Sequence, residues 1–302
     1  MLTADVSVYC SGGDWSLGAH AALSGERELI FAETDGHTVL LALSPHPDGH
    51  VVLQSAECDW GFCSPVLGPD PEIGARLLAG ALVSLAPRWR LAVLSGLSPA
   101  AAARVRVLVG RRFRTAVRPG LTSVSASLHG GLDGFLGRRS AHLRANLRRD
   151  SRRVREAGIV VERLCGTSAA ANVLERASEV ERRSWKSGNG GSMLSTPAFV
   201  DFYGRTLERA SRGGRLRAAF AVRDGVDCAF IFGAVLGHVY RGFQLGYSRE
   251  YEALGLGNQL QLALIEQLVD EGIARYDLGM AMDYKRRWSD AQNEHVVLVA
   301  AR

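Results

Sequence analysis

The residues best suited to chemistry gather near the C-terminal end. Asp277 and Asp283 fall at the end of an expected strand and in the loop after it, where α/β sheets present their ligand sites, and a carboxylate there can take a proton from a substrate. A helix cap or a loop hydrogen bond is the plain alternative for Asp277. Tyr247 and Tyr284 carry hydroxyls able to donate or position a proton, although a tyrosine is more often a packed ring with one satisfied hydroxyl. Lys285, Arg286 and Arg287 run into Trp288, a cationic run with an aromatic that suits a phosphate or a stacked terminal nucleotide. No Ser-His-Asp arrangement is visible among the eight histidines, and His238 and His295 read as strand or surface residues rather than bases.

A second constellation is electrostatic. Arg144, Arg148, Arg152 and Arg155 recur at the helical period, so they share one stripe, with Arg138, Arg139, Arg149 and Arg153 nearby and only Asp150 and Glu156 intervening. Arginine grips phosphate in a planar fork, and the formal charge of +5 over 302 residues with a pI near 9.1 agrees with an anionic partner. The stripe is a candidate RNA- or phosphate-binding face; the alternative is a solvated helix surface.

Alternating strands and helices must position these groups, which makes the class α/β. Asp35-Gly36 and Asp224-Gly225 each sit between apolar runs and predict two-residue hairpins. Helices are expected over 71–85, 99–108, 131–157, 168–186, 197–212 and 257–272, and strands over 90–95, 115–127, 159–164 and 238–247. In the 131–157 helix, Leu136, Leu143, Leu147 and Val154 form the apolar face beside the arginines, with Gly158 as a stop. Ser187 to Ser192, rich in Gly and Ser, reads as an active-site loop or a spacer, and Asp59-Trp60-Gly61-Phe62 with Pro65 to Pro69 as a structured loop able to wall a pocket. The five cysteines are scattered without a CxxC pair, so buried free thiols are expected and no metal site. A start without a basic, apolar leader and the lack of a long uncharged apolar run predict a cytoplasmic protein with no membrane partner. The Ala-, Arg- and Gly-rich usage points to a high-GC bacterium.

The order hairpin, strand, Leu254-Gly255-Leu256-Gly257-Asn258, helix, strand resembles the core of the GNAT acyltransferases. In that family a glycine-rich turn and helix N-terminus receive a donor pyrophosphate on backbone N–H groups. The flanking segments Ser184-Trp185-Lys186, Phe243 to Tyr247, Tyr276 to Gly279 and Tyr284 to Trp288 come in the order of the bacterial CelD-like branch, which is similar to the Fem-type aminoacyl transferases. The resemblance covers about residues 131–290. It implies two GNAT-like halves, each a mixed twisted sheet flanked by helices: a degenerate half over 1–130 and a catalytic half over 131–302. It further implies N-acyl transfer to an amine of a small molecule, with no permanently bound cofactor and either aminoacyl-tRNA or acyl-CoA as co-substrate. Gly255, Gly257, Asn258, Trp185, Lys186, Lys285, Arg286, Arg287 and Trp288 would then bind the donor, and Asp277, Asp283, Tyr247 and Tyr284 would act at the reacting amine and leaving group.

The turn departs from the family at Glu252, where Gln or Arg is usual. A carboxylate beside a pyrophosphate is repulsive, which tips the donor slightly towards aminoacyl-tRNA and makes tRNA a possible partner. Acyl-CoA stays close behind as the alternative donor. A non-catalytic RNA- or nucleotide-binding module and a structural pseudo-enzyme remain as further alternatives.

Overall fold

The computed structural model describes residues 4–57, 60–167, 169–184 and 192–302. Two compact units emerge. The first takes the residues up to Ser123 together with Gly279–Ala281 and Gln292–Arg302; the second takes Val124–Leu278 and Met282–Ala291.

In the first unit a helix α1 (Gly13–Leu23) precedes an antiparallel hairpin of β1 (Glu28–Thr34) and β2 (His37–Pro45). Its turn is Asp35 (φ 46°) and Gly36 (φ 71°), the two left-handed residues that a two-residue turn between right-twisted strands requires. β3 (Val51–Ser55) adds to β2, and the short β4 (Val66–Leu67) also pairs with β2. α2 (Pro71–Ser84) begins where Asp70 accepts the N–H of Glu72 at 2.7 Å, with Pro71 in the first turn. β5 (Leu91–Leu97) lies parallel to β3, and α3 (Pro99–Val109) starts from the Ser98 cap. β6 (Arg114–Ser127) then runs out of this unit into the second. Leu41, Leu53, Leu78, Leu82, Trp89 and Leu94 make up part of this unit's core.

The second unit opens with α4 (Gly131–Gly137) and α5 (Ala141–Glu156). The single helix expected over 131–157 is therefore two. Ser140 leaves the helical conformation and caps α5 by accepting the Leu143 N–H at 3.1 Å. Arg139, buried, donates to the Ser289 carbonyl and to Asp290, each at 2.6 Å, while Arg138 donates to Asp290 at 3.2 Å and to the Ser127 carbonyl at 2.7 Å. These two arginines hold the helix junction and are not part of the basic stripe.

Beyond them come β7 (Val160–Cys165), α6 (Ala170–Arg182) and α7 (Pro197–Arg212). β8 (Leu216–Arg223) and β9 (Val226–Leu236) form the second expected hairpin on Asp224 (φ 50°) and Gly225 (φ 77°). β10 (Val239–Tyr247), α8 (Leu256–Asp270) and β11 (Arg275–Met280) make a strand–helix–strand crossover, and the short α9 (Asp283–Arg286) follows. The strand order is β11-β10-β9-β8-β7, antiparallel except for the parallel pair β10 and β11. The final strand, β12 (Ala291–Ala301), returns to the first unit and pairs antiparallel with β5, so the units do not divide the chain at one point. Among the described cysteines Cys10, Cys63 and Cys228 are buried free thiols, whereas Cys165 is exposed, on the edge strand β7. No helix among the described residues is long and apolar enough to cross a membrane.

Candidate active site

β10 and β11 pair in parallel only where Val239–Arg241 face Arg275–Asp277. β10 then kinks, its register to β9 shifting between Gly242 and Gln244, and the two strands part. The gap is a cleft of about 110 Å³ lined by Gly242, Gln244, Gln261, Tyr276, Tyr284 and Lys285 together with apolar side chains. Gly242 is required here: a Cβ on it would stand 2.9 Å from the Tyr276 hydroxyl. Beyond the last paired rung, strand polar groups and side chains face the cleft instead of each other, which is how splayed parallel strands create ligand sites.

At that rung Arg241 Nη1 donates to Asp277 Oδ1 at 2.9 Å, and both residues are buried. Asp277 is thus the counter-ion of a buried guanidinium, an arrangement that fixes strand register and the local field. Lys285 reaches back from α9 and its Nζ donates to the Leu278 carbonyl at 2.7 Å. Burial pulls its ammonium down to about 8; Arg241 acts in the same direction and Asp277 against it. The Tyr284 ring lies 5.8 Å from the Lys285 amine, half-exposed, and burial raises its hydroxyl pKa. Burial raises Tyr276 further. Each phenol therefore stays protonated at neutral pH and acts as a donor.

Other expected site residues lie elsewhere. Asp283 starts α9 fully exposed, with Arg286 4.0 Å away. Arg286 and Arg287 are exposed. Trp288 is 2% exposed and stacks on Phe135 with centroids 6.2 Å apart, so its ring is core and cannot receive a nucleotide. Tyr247 ends β10 beside the glycine turn, half-buried. Trp185 and Lys186, and all but the last residue of the Ser187–Ser192 segment, lie outside the described residues, as does Asp59. The rest of that N-terminal loop is structured: the buried Glu57 carboxylate accepts the N–H groups of Trp60 at 2.7 Å and Phe62 at 3.1 Å.

The glycine turn is occupied by the protein itself. Gly255 has φ 70°, and a Cβ there would sit 2.6 Å from Asp150 Cγ. The same carboxylate accepts the Asn258 side-chain N–H at 3.1 Å, and Gln259 donates to the Leu147 carbonyl at 3.0 Å. Glu252 stands exposed in the 3₁₀ turn before it. Where α4, α5 and α8 meet, Arg144, Arg148 and Arg155 line a groove of about 360 Å³ together with Leu136, Leu147 and Leu262. Arg152 is exposed beside it. Arg144 is partly committed, donating to the carbonyls of Leu136 and Arg139.

The stretch from α5 through α9, residues 141–286, matches the sequence model of the family described as Acetyltransferase (GNAT) domain. Solved structures extend the likeness to the whole fold. FemX superimposes with a TM-score of 0.68 at 12% identity, covering 95% of this chain and 91% of its own. L-PGS from Bacillus licheniformis gives 0.63 at 13%, covering 95% and 90%. The C-terminal domain of a putative lysylphosphatidylglycerol synthetase from Agrobacterium fabrum gives 0.60 at 13%, covering 97% and 92%. At these identities the likeness is one of fold. A search of curated protein sequences finds no match.

Within the matched region two residues escaped the sequence reading, Gln261 of the β10–β11 cleft and Arg241 of the paired rung beside it. The available signals were a lone arginine inside the otherwise uncharged strand Val239 to Tyr247 and a glutamine on the buried face of a leucine-rich helix.

Proposed function

We propose that the protein is an N-acyltransferase that joins an acyl or aminoacyl group to an amine of a small molecule in the β10–β11 cleft. The observation that carries this reading is the Lys285 amine inside that cleft, beside two protonated tyrosines. Attack of a neutral amine on the donor ester or thioester puts negative charge on the acyl oxygen, and a lysine held there as a cation stabilises it. Collapse expels the alkoxide or thiolate, which takes a proton from a donor such as Tyr284, while the new amide nitrogen loses one to a base or to water. Arg241 and Asp277 set the field around Lys285 and hold the strands in register.

Aminoacyl-tRNA is the donor we favour. A CoA pyrophosphate at the α8 N-terminus would meet the Asp150 carboxylate, already bonded to Asn258, with Glu252 in the preceding turn. The arginine-lined groove of α5 suits dispersed phosphate contacts. The fold is shared with proteins named FemX and lysylphosphatidylglycerol synthetase, the latter name describing an aminoacyl product. One observation favours an acetyl-CoA donor instead, the match to an acetyltransferase domain itself.

Titration with acetyl-CoA, and separately with bulk aminoacylated tRNA at two salt concentrations, tests the choice. Tight tRNA binding that weakens steeply with salt, without CoA binding, supports the aminoacyl reading. Saturable acetyl-CoA binding replaces it with the acetyltransferase reading. Absence of transfer from either donor to a panel of small amines leaves a binding module.

A further inference from the structure

Helix α8 buries Gln259, Gln261 and Gln267, and their amides differ in what they do. Gln259 donates to the Leu147 carbonyl at 3.0 Å and Gln267 to Glu271 at 2.9 Å. Gln261 is 5% exposed and lines the β10–β11 cleft, and its Nε2 has no hydrogen-bond partner among the described residues. A buried N–H without an acceptor is unfavourable enough that its persistence calls for an explanation, and a ligand oxygen supplies one. Two of the neighbouring donors are already committed, at least in part. Gln244 already donates to the Tyr203 hydroxyl at 2.7 Å, and Lys285 uses one of its protons on Leu278.

The chemistry of the amide narrows what it can recognise. Nε2 is a neutral donor, so its partner is an oxygen with a lone pair to share. The attacking amine is excluded, because its lone pair must stay free for the acyl carbon. We propose that Gln261 binds the carbonyl oxygen of the donor's acyl group, as a neutral hydrogen-bond donor complementing the Lys285 cation in the same cleft. This rests on the acyltransferase reading above. The substrate class is then a carbonyl-bearing acyl ester or thioester whose oxygen enters the cleft, and the contact strengthens as that oxygen gains charge.

The test uses the full chain and Gln261→Met, which keeps the side-chain length and removes the N–H groups. Without ligand, the variant is expected to melt at the wild-type temperature or above, because it loses an unpaired buried donor; a fall of several degrees would show a structural partner and overturn the proposal. In ¹⁵N-labelled protein, the side-chain NH₂ signal missing from the variant belongs to Gln261. It is expected to shift on titration with L-alanine methyl ester, a small ester probe, and no shift at tens of millimolar overturns the proposal. With a working donor, kcat should fall about 100-fold with KM little changed. An unchanged kcat overturns the assignment to the acyl oxygen. If the wild type transfers from no donor yet its Gln261 signal responds to the ester, the acyltransferase reading fails while the carbonyl site stands.

Discussion

Two regions of the second unit look alike in sequence as candidate anion or acyl sites, the Gly255 turn at the head of α8 and the β10–β11 cleft at its flank, and the structure treats them in opposite ways. At the turn every conspicuous group is spent on packing: Asp150 on Asn258, Gln259 on Leu147, and Gly255 on letting α5 come close. In the cleft, strand divergence leaves a lowered lysine, two protonated tyrosines and an amide N–H without a protein partner among the described residues. A glycine motif marks where backbones approach closely. Whether a ligand or another helix makes the approach depends on what the facing element carries, and here α5 carries a carboxylate.

The largest effect expected in the cleft is on stability. Removing one partner of a buried ion pair strands the other, so Asp277→Ala should lower unfolding free energy by about 3–5 kcal/mol in urea titrations. The double variant Arg241→Met/Asp277→Leu should recover most of that loss. If Asp277→Ala were as stable as wild type but inactive, the carboxylate would be a base and not a counter-ion. Next comes Lys285→Met, expected to lower kcat by about 10²–10³ with no loss of melting temperature. Its charge also sets a pH limb. Burial disfavours the ammonium, so the folded chain releases this proton near 8 while the unfolded chain holds it to about 10.5. Activity that needs the cation falls as pH rises through about 8, and this group's contribution to stability rises between the two values. A rate that climbs through pH 8 would make neutral Lys285 a base.

The contrast also explains what the sequence disclosed. The Asp-Gly hairpins were legible because positive φ at both turn residues is a local demand, and the α5 face because helical period is local too. The break at Ser140 was hidden, since the residues that immobilise Arg138 and Arg139 lie at Ser289 and Asp290, about 150 positions away. The pairing of Arg241 with Asp277 depends on parallel register across α8, which no local pattern reveals. Trp288 misled for the same reason: a basic run predicts surface, but a ring packed on Phe135 is decided by tertiary contact. α1 lacked a signal because Gly13–Leu23 has glycines and serine scattered among its apolar residues and no clear polar stripe.

Smaller effects sharpen the contrast at the turn and its groove. Gly255→Ala puts a side chain at φ 70°, costing about 1–2 kcal/mol, and adds the clash with Asp150. Pairing it with Asp150→Gly should relieve the clash and leave the backbone strain. If Asp150→Gly alone created acetyl-CoA binding, the carboxylate would be identified as what closes the turn to pyrophosphate. Arg148→Glu with Arg152→Glu should weaken tRNA binding and flatten its log–log salt dependence by roughly two units, one for each phosphate that an arginine no longer neutralises. Unchanged binding would return that helix face to ordinary surface.

The smallest effect is expected at Asp283, the carboxylate that the sequence ranked beside Asp277. It is fully exposed, its nearest cation is 4.0 Å away, and it does not line the cleft that Tyr284 and Lys285 enter from the same short helix. Asp283→Asn should therefore alter stability by no more than about 0.5 kcal/mol and leave kcat within about twofold. A base acting through solvent would behave differently, because the loss of its charge would lower kcat by about 10²–10⁴ without moving the melting temperature. That result would shift proton removal from the cleft to its rim, with the acceptor amine entering past α9.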